Sequence, residues 1–277
     1  MKKSVNLHFN SMHRGPGRVV ENLAHGLVML GYDVYANSTP NADSYQSCLQ
    51  PTRMLEKMPS DTLMGPNLFV LPDEWGDFCR FFNHFVTPSD WVTSIYKKYD
   101  NLSHATVESW PVGIDTNLWS PIICKQDRVL VYFKNREEND LLILLQNLEK
   151  IGQEYEVLRY GSYEEKDLRA ALARTTACIL LTGTESQGVA YMQILSSNKP
   201  CYVINSCQFN YNGVIAPATS VPYFDTRCGI IEERFDESRW HEFKENLAAY
   251  KPCEFILENF TLDKCAQNFI DIVKKYQ

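Results

Sequence analysis

No run in this 277-residue chain approaches the roughly 18 consecutive apolar residues that a membrane-crossing helix requires, so no spanning helix is expected. The opening Met1-Lys2-Lys3-Ser4 runs straight into a strand-like segment without an apolar core, so no signal peptide is expected either. The nine cysteines include no Cys-x-x-Cys pair and no His–Cys ligand spacing, which argues against a zinc site. An odd, dispersed set also lacks the pattern of a disulfide framework and suits a reducing, cytoplasmic location. The Asn-x-Ser/Thr triplets at Asn37, Asn101 and Asn259 are then chance occurrences. Positive charge is not in excess: Lys plus Arg is 27 and Asp plus Glu is 34, a net charge of −7. That argues against a general nucleic-acid coat, which needs broad positive surface. Basic amphipathic helices, low-complexity segments and solenoid repeats are all missing, so surface-membrane binding and repeat architectures find no support.

What the chain has is alternation. Short apolar runs at 5–9, 68–71, 84–87, 106–110, 128–133, 155–159 and 177–181 read as strands. Helical spacing fills 18–30, with Val19, Leu23, Leu27 and Leu30 on one face and Gly31 where a C-terminal cap is expected. Further helices are read at 141–151, at 164–175, and from a cap at Ser89 or Asp90 to Tyr99. Strands alternating with helices predict an α/β fold with parallel sheets covered on both faces. The pattern restarts after Trp119-Ser120-Pro121, which puts a domain boundary there: 1–120, then 121 onward.

One stretch carries chemistry. The strand at 177–181 meets Thr184-Glu185-Ser186-Gln187-Gly188-Val189-Ala190-Tyr191-Met192-Gln193, and the chain turns again at Asn198-Lys199-Pro200. A helix opening at Gly188 aims backbone N–H groups and a positive dipole end at one spot, which suits a diphosphate. Glu185 beside it can accept hydrogen bonds from sugar hydroxyls, so the combination points to a nucleotide sugar. Ser186, Gln187, Gly188 and Val189 are expected to act mainly through backbone N–H groups. Lys134 and Arg136 follow a strand end and can neutralise a departing diphosphate, with a solvated pair beside Glu137 and Glu138 as the alternative. Near the N-terminus His13-Arg14-Gly15-Pro16-Gly17 reads as a tight loop before a helix. Gly15 and Gly17 there face phosphate or substrate, or else simply make a turn.

The 184–204 stretch resembles the donor-site signature of family 4 retaining glycosyltransferases, enzymes of the GT-B fold. Glu185, Gly188 and Pro200 fall in place, and Gln193 stands where that family has a second Glu. The opening glycine segment, Val86-Thr87-Pro88-Ser89-Asp90-Trp91, Pro111-Val112-Gly113-Ile114-Asp115-Thr116 and the segment from Glu254 to Thr261 resemble further family segments in the same order. The resemblance implies two Rossmann-like domains with parallel sheets facing across a cleft: 1–120 for the acceptor, 121–255 for the nucleotide sugar, and a last helical region at 256–277 crossing back to the first domain. It implies that Glu185 contacts the donor sugar and that the second acidic position, here Gln193, holds the ribose. Gln can still donate to and accept from a hydroxyl but lacks an ionised acceptor's strength. The family's first-domain His has no match in 67–75, leaving Asp73 or Glu74 to orient the acceptor hydroxyl or serve as its base, each with an ordinary loop acid as the alternative. No metal cluster is visible and the family generally needs none, so neither metal nor other cofactor is expected. A UDP-sugar is the favoured donor, and a saccharide or glycoconjugate the favoured acceptor. The short chain and its Gly-Pro-Gly segment resemble compact viral and phage-encoded versions. That adds hydroxymethylated DNA as an alternative acceptor and host cytoplasm as the location if the chain is viral. A non-catalytic nucleotide-sugar-binding protein is the reading from another class.

Overall fold

The computed structural model describes residues 2–10, 14–52, 55–124 and 126–277. The chain divides into two compact units, Met1–Gly113 with Phe260–Gln277, and Ile114–Asn259. The first contains β1 (Ser4–His8), α1 (Arg14–Met29), β2 (Asp33–Ala36), β3 (Ser44–Cys48), β4 (Leu63–Met64), β5 (His84–Thr87), α2 (Asp90–Tyr96) and β6 (Thr106–Ser109). The second contains β7 (Arg128–Lys134), α3 (Glu138–Lys150), β8 (Glu154–Arg159), α4 (Glu165–Ala173), β9 (Ala177–Thr182), α5 (Val189–Ser196) and β10 (Cys201–Ile204). It continues through the hairpin β11 (Gln208–Tyr211) and β12 (Val214–Pro217), then β13 (Gly229–Glu232), α6 (Glu237–Glu245) and α7 (Pro252–Asn259). Helix α8 (Leu262–Tyr276) returns to the first unit. Residues 256–259 thus finish α7 in the second unit, and only the last helix goes back. The segment from Ile114 to Pro121 also belongs to the second unit, where Ile114 and Trp119 are buried and the Ile122 N–H bonds the Ser197 carbonyl at 3.1 Å.

Each unit is built on a parallel sheet, in the orders β2-β1-β3-β4-β5-β6 and β13-β10-β9-β7-β8. Both are doubly wound, so the α/β class with two Rossmann-like halves read from the sequence stands. The central strand β9, Ala-Cys-Ile-Leu-Leu-Thr, is buried at every position, as a strand covered on both faces must be. Val129, Val131, Ile179 and Leu181 pack against Leu141, Leu144 and Leu148 of α3 and against Trp240 and Phe243 of α6. Each such side chain contributes on the order of 1.5–3 kcal/mol on burial.

Two elements differ from the sequence reading. The run at 68–71 is not a strand: Leu63–Met64 already fills the slot between β3 and β5, and Phe69 and Val70 are exposed. Helix α1 begins at Arg14, so Gly15, Pro16 and Gly17 form its first turn rather than a loop. Proline is tolerated there because its missing N–H would have no intrahelical partner. Among the described residues no helix is long and apolar enough to cross a membrane.

Candidate functional site

In the second sheet the winding reverses between β7 and β9, and ligands of open α/β sheets lie outside the carboxyl ends of strands at such a point. The last residues of these two strands, Lys134 and Thr182, are partners in register. The Gly183 N–H then bonds the Lys134 carbonyl at 2.8 Å, and a Cβ on Gly183 would lie 2.6 Å from the Asn135 carbonyl oxygen. Only glycine lets the two strand ends approach this closely.

The Glu185 backbone N–H is fastened to the Thr219 carbonyl at 2.9 Å, which holds the loop after β9 in place. Its carboxylate takes the Lys134 ammonium on both oxygens, at 2.7 Å to Oε1 and 2.8 Å to Oε2. Both side chains are mostly buried, 17% and 10% exposed. Burial pushes the Glu185 carboxyl up from its ordinary value, against the pull of Lys134. The Lys134 Nζ also sits 4.4 Å from the centroid of the Tyr160 ring, a cation–π contact. Behind it the Tyr163 hydroxyl donates to the Tyr132 hydroxyl at 3.0 Å. Burial pushes the Tyr163 phenol up to about 12, so it remains a proton donor at neutral pH.

Helix α5 starts from Gly188 in the left-handed conformation, φ 74° and ψ 38°. A Cβ there would sit 1.9 Å from the Tyr191 ring, which is pinned because its hydroxyl accepts the Tyr223 N–H at 2.9 Å. The first N–H groups of α5 have no intrahelical acceptor and leave a partial positive charge beside the Lys134–Glu185 pair. Ser186 is exposed and Val189 half-buried. Gln187 is buried, 8% exposed, and among the described residues neither its Nε2 nor its Oε1 has a hydrogen-bond partner.

Gln193 is buried on α5, and its Nε2 donates to Glu165 Oε1 at 3.2 Å. A carboxylate therefore stands beside the Gln193 amide, although it comes from the start of α4. Arg136 is not brought to Lys134's partner. Asn135 turns through φ 51°, and the Arg136 Nε bonds Asp140 of α3 at 2.8 Å.

The remaining sequence candidates lie in the first unit. Gly15 and Gly17 form the first turn of α1, and His13 lies outside the described residues. Asp73 is exposed on the 3-10 helix Pro72–Phe81, where its Oδ1 accepts from Asn101 Nδ2 at 3.5 Å beside an open depression of about 490 Å³. The sequence reading missed Tyr160, Tyr163 and Glu165. The usable signal was their position just after a parallel strand's carboxyl end. Among the described residues no group of three or more His, Cys, Asp or Glu is placed to hold a metal ion.

No protein-family model and no curated protein sequence matches the chain. Solved structures similar to it include the apo form of the lipopolysaccharide outer core galactosyltransferase WaaB, at TM-score 0.58 and 12% identity over 100% of both chains. Sucrose-phosphate synthase from Thermosynechococcus elongatus aligns at TM-score 0.54 and 10% identity, covering 99% of this chain and 98% of that one. The GtfA/B complex aligns at TM-score 0.47 and 12% identity over 74% of this chain, which spans only 48% of the matched chain. What this chain shares with WaaB and sucrose-phosphate synthase, at these identities, is the GT-B fold.

Proposed function

We infer that the chain is a retaining glycosyltransferase that moves one sugar from a nucleoside diphosphate donor, a UDP-sugar by preference, to a hydroxyl of a saccharide or glycoconjugate acceptor. The observation that carries this reading is the Lys134–Glu185 pair at the switch point of the second sheet, beside the start of α5. One spot there offers a cation and a helix dipole for a diphosphate, and a carboxylate for sugar hydroxyls. The reaction breaks the bond between the anomeric carbon and the diphosphate oxygen and forms one from that carbon to the acceptor oxygen. The acceptor's proton passes to the departing diphosphate on the same face of the sugar, which retains the anomeric configuration without a protein nucleophile. Lys134 and the α5 N–H groups stabilise the charge that develops on the diphosphate, and Glu185 orients the sugar ring. Glu165, steadied by Gln193, supplies the ionised acceptor for the ribose hydroxyls that position 193 lacks.

A donor panel tests this. Purified chain is titrated calorimetrically with UDP and GDP, then incubated with UDP- and GDP-sugars while released nucleotide is measured. Binding of one nucleotide and slow release from its sugar conjugate are expected, with release falling at least ~100-fold in Glu185→Ala. Absence of binding by either nucleotide at millimolar concentration would overturn the assignment.

A further inference from the structure

We propose that the side-chain carboxamide of Gln187 reads a hydroxyl of the donor's sugar directly and so sets which sugar the site accepts. This rests on the nucleotide-sugar reading and extends it to a residue whose side chain the sequence left idle. Glu185 and Gln187 are both buried while Ser186 between them is exposed, so the loop from β9 to α5 turns these two polar side chains inward together. Glu185 is held by Lys134. Among the described residues Gln187 has no partner for either its donor or its acceptor, in an 8% exposed position immediately before the glycine that starts α5. At the end of β9, just before that loop, Thr182 Oγ1 is a further buried polar atom with no hydrogen-bond partner among the described residues, and Thr182 lies in register with Lys134.

A buried amide with neither group satisfied costs stability, and folded proteins keep few of them. Replacing it by an apolar residue would remove that cost, so its presence asks for a partner supplied from outside. The chemistry of the partner follows from the amide. An N–H₂ needs an acceptor and a C=O needs a donor, both within one small site. A phosphate oxygen offers only acceptors and leaves the carbonyl unsatisfied. A sugar hydroxyl offers an O–H and two lone pairs on one atom. A sugar lacking that hydroxyl leaves the amide buried and unpaired, and sites of this kind reject such analogues strongly.

Gln187→Leu removes both polar groups at nearly constant volume. In the full chain its affinities for UDP, UDP-glucose, UDP-galactose and GDP-mannose are compared with wild type by calorimetry, beside thermal unfolding of both proteins. The sugar nucleotide bound best by wild type is expected to bind the variant about tenfold more weakly, while the parent nucleotide changes by less than about twofold. Without ligand the variant melts at the wild-type temperature or above it. Undiminished binding of the sugar nucleotide overturns the proposal alone. An equal loss for the bare nucleotide also overturns it, by assigning the amide to the nucleotide instead. A fall in melting temperature of more than about 4 °C overturns it by revealing a structural partner. Wild-type protein that binds none of the four probes sinks the nucleotide-sugar reading, and this proposal with it.

Discussion

Lys134 and Glu185 hold each other in a largely desolvated place, and each restrains the other's cost. Burial alone favours the neutral carboxyl, raising Glu185 above its ordinary 4.5, and the ammonium opposes that rise. In Lys134→Met the opposition is gone, so the folded-state value climbs further. A carboxyl whose folded value exceeds its unfolded one contributes its stability below the ordinary carboxylate range and loses it as pH rises through the folded value. The variant should therefore be destabilised by about 3–5 kcal/mol at pH 8, where Glu185 is either buried and charged without its ammonium or protonated at a cost. At pH 5 the gap to wild type should shrink by at least ~1 kcal/mol, because the carboxyl then binds its proton readily. Urea unfolding at the two pH values measures this. A gap that stays constant between them would mean that solvent reaches the carboxylate.

Helix starts show what the sequence disclosed at the level of elements. Gly15 and Gly188 look alike on paper, each a glycine at the opening of a helix near a suspected phosphate. Gly188 has φ 74° and the Tyr191 ring 1.9 Å from any added Cβ, whereas at Gly15, inside the first turn of α1, no described residue other than its chain neighbours and its own helix backbone lies within 4 Å of that position. Gly188→Ala should cost about 2–4 kcal/mol, from left-handed strain and the displaced ring together. Gly15→Ala should change stability by less than about 0.5 kcal/mol, since alanine's better fit to a helix is offset by crowding against the ring of Pro16. Chemical denaturation of both variants checks the contrast, and a Gly15→Ala destabilised by more than that would show that the first turn of α1 is not simple helix. Strands and helices with strong periodicity were legible: the fully buried β9, the helix capped by Gly31 (φ 82°, with the Tyr32 N–H returning to the Leu27 carbonyl at 3.0 Å), and the opening of α5 at Gly188. The run at 68–71 misled because apolar residues in sequence do not reveal that the slot between β3 and β5 is already taken. Within the site, Lys134 and Glu185 could be nominated separately, since each follows a strand end. Their contact depends on the register of β7 against β9, and Glu165 beside Gln193 depends on where α4 starts, neither of which a local pattern encodes.

At the scale of the whole chain the two units differ in how they are closed. The second is one continuous segment, Ile114–Asn259, with its own sheet and the core between α3, α6 and that sheet. The first is completed only by α8 from the far end of the sequence. The Trp110 Nε1–H donates to the Cys265 carbonyl at 2.8 Å and its ring meets Phe269 edge-on at 5.1 Å. Gly26 of α1 and Gly113 are glycines because α8 runs against them: an added Cβ would lie 2.3 Å from the Leu262 carbonyl oxygen at Gly26 and 2.7 Å from the Leu262 Cα at Gly113. Without α8 the buried faces of α1 and of Trp110 would meet water, at a cost of several side chains of ~1.5–3 kcal/mol each, comparable to the whole stability of a domain. A fragment of residues 114–259 should therefore unfold cooperatively in urea. It should also bind the parent nucleotide within about tenfold of the full chain, the difference of one factor of ten in affinity being ~1.4 kcal/mol. A fragment of residues 1–113 should remain unfolded by circular dichroism and gain structure only when residues 260–277 are supplied in trans. Cooperative folding of the 1–113 fragment by itself would contradict this dependence on α8, and loss of nucleotide binding by a folded 114–259 fragment would place essential donor contacts outside the second unit.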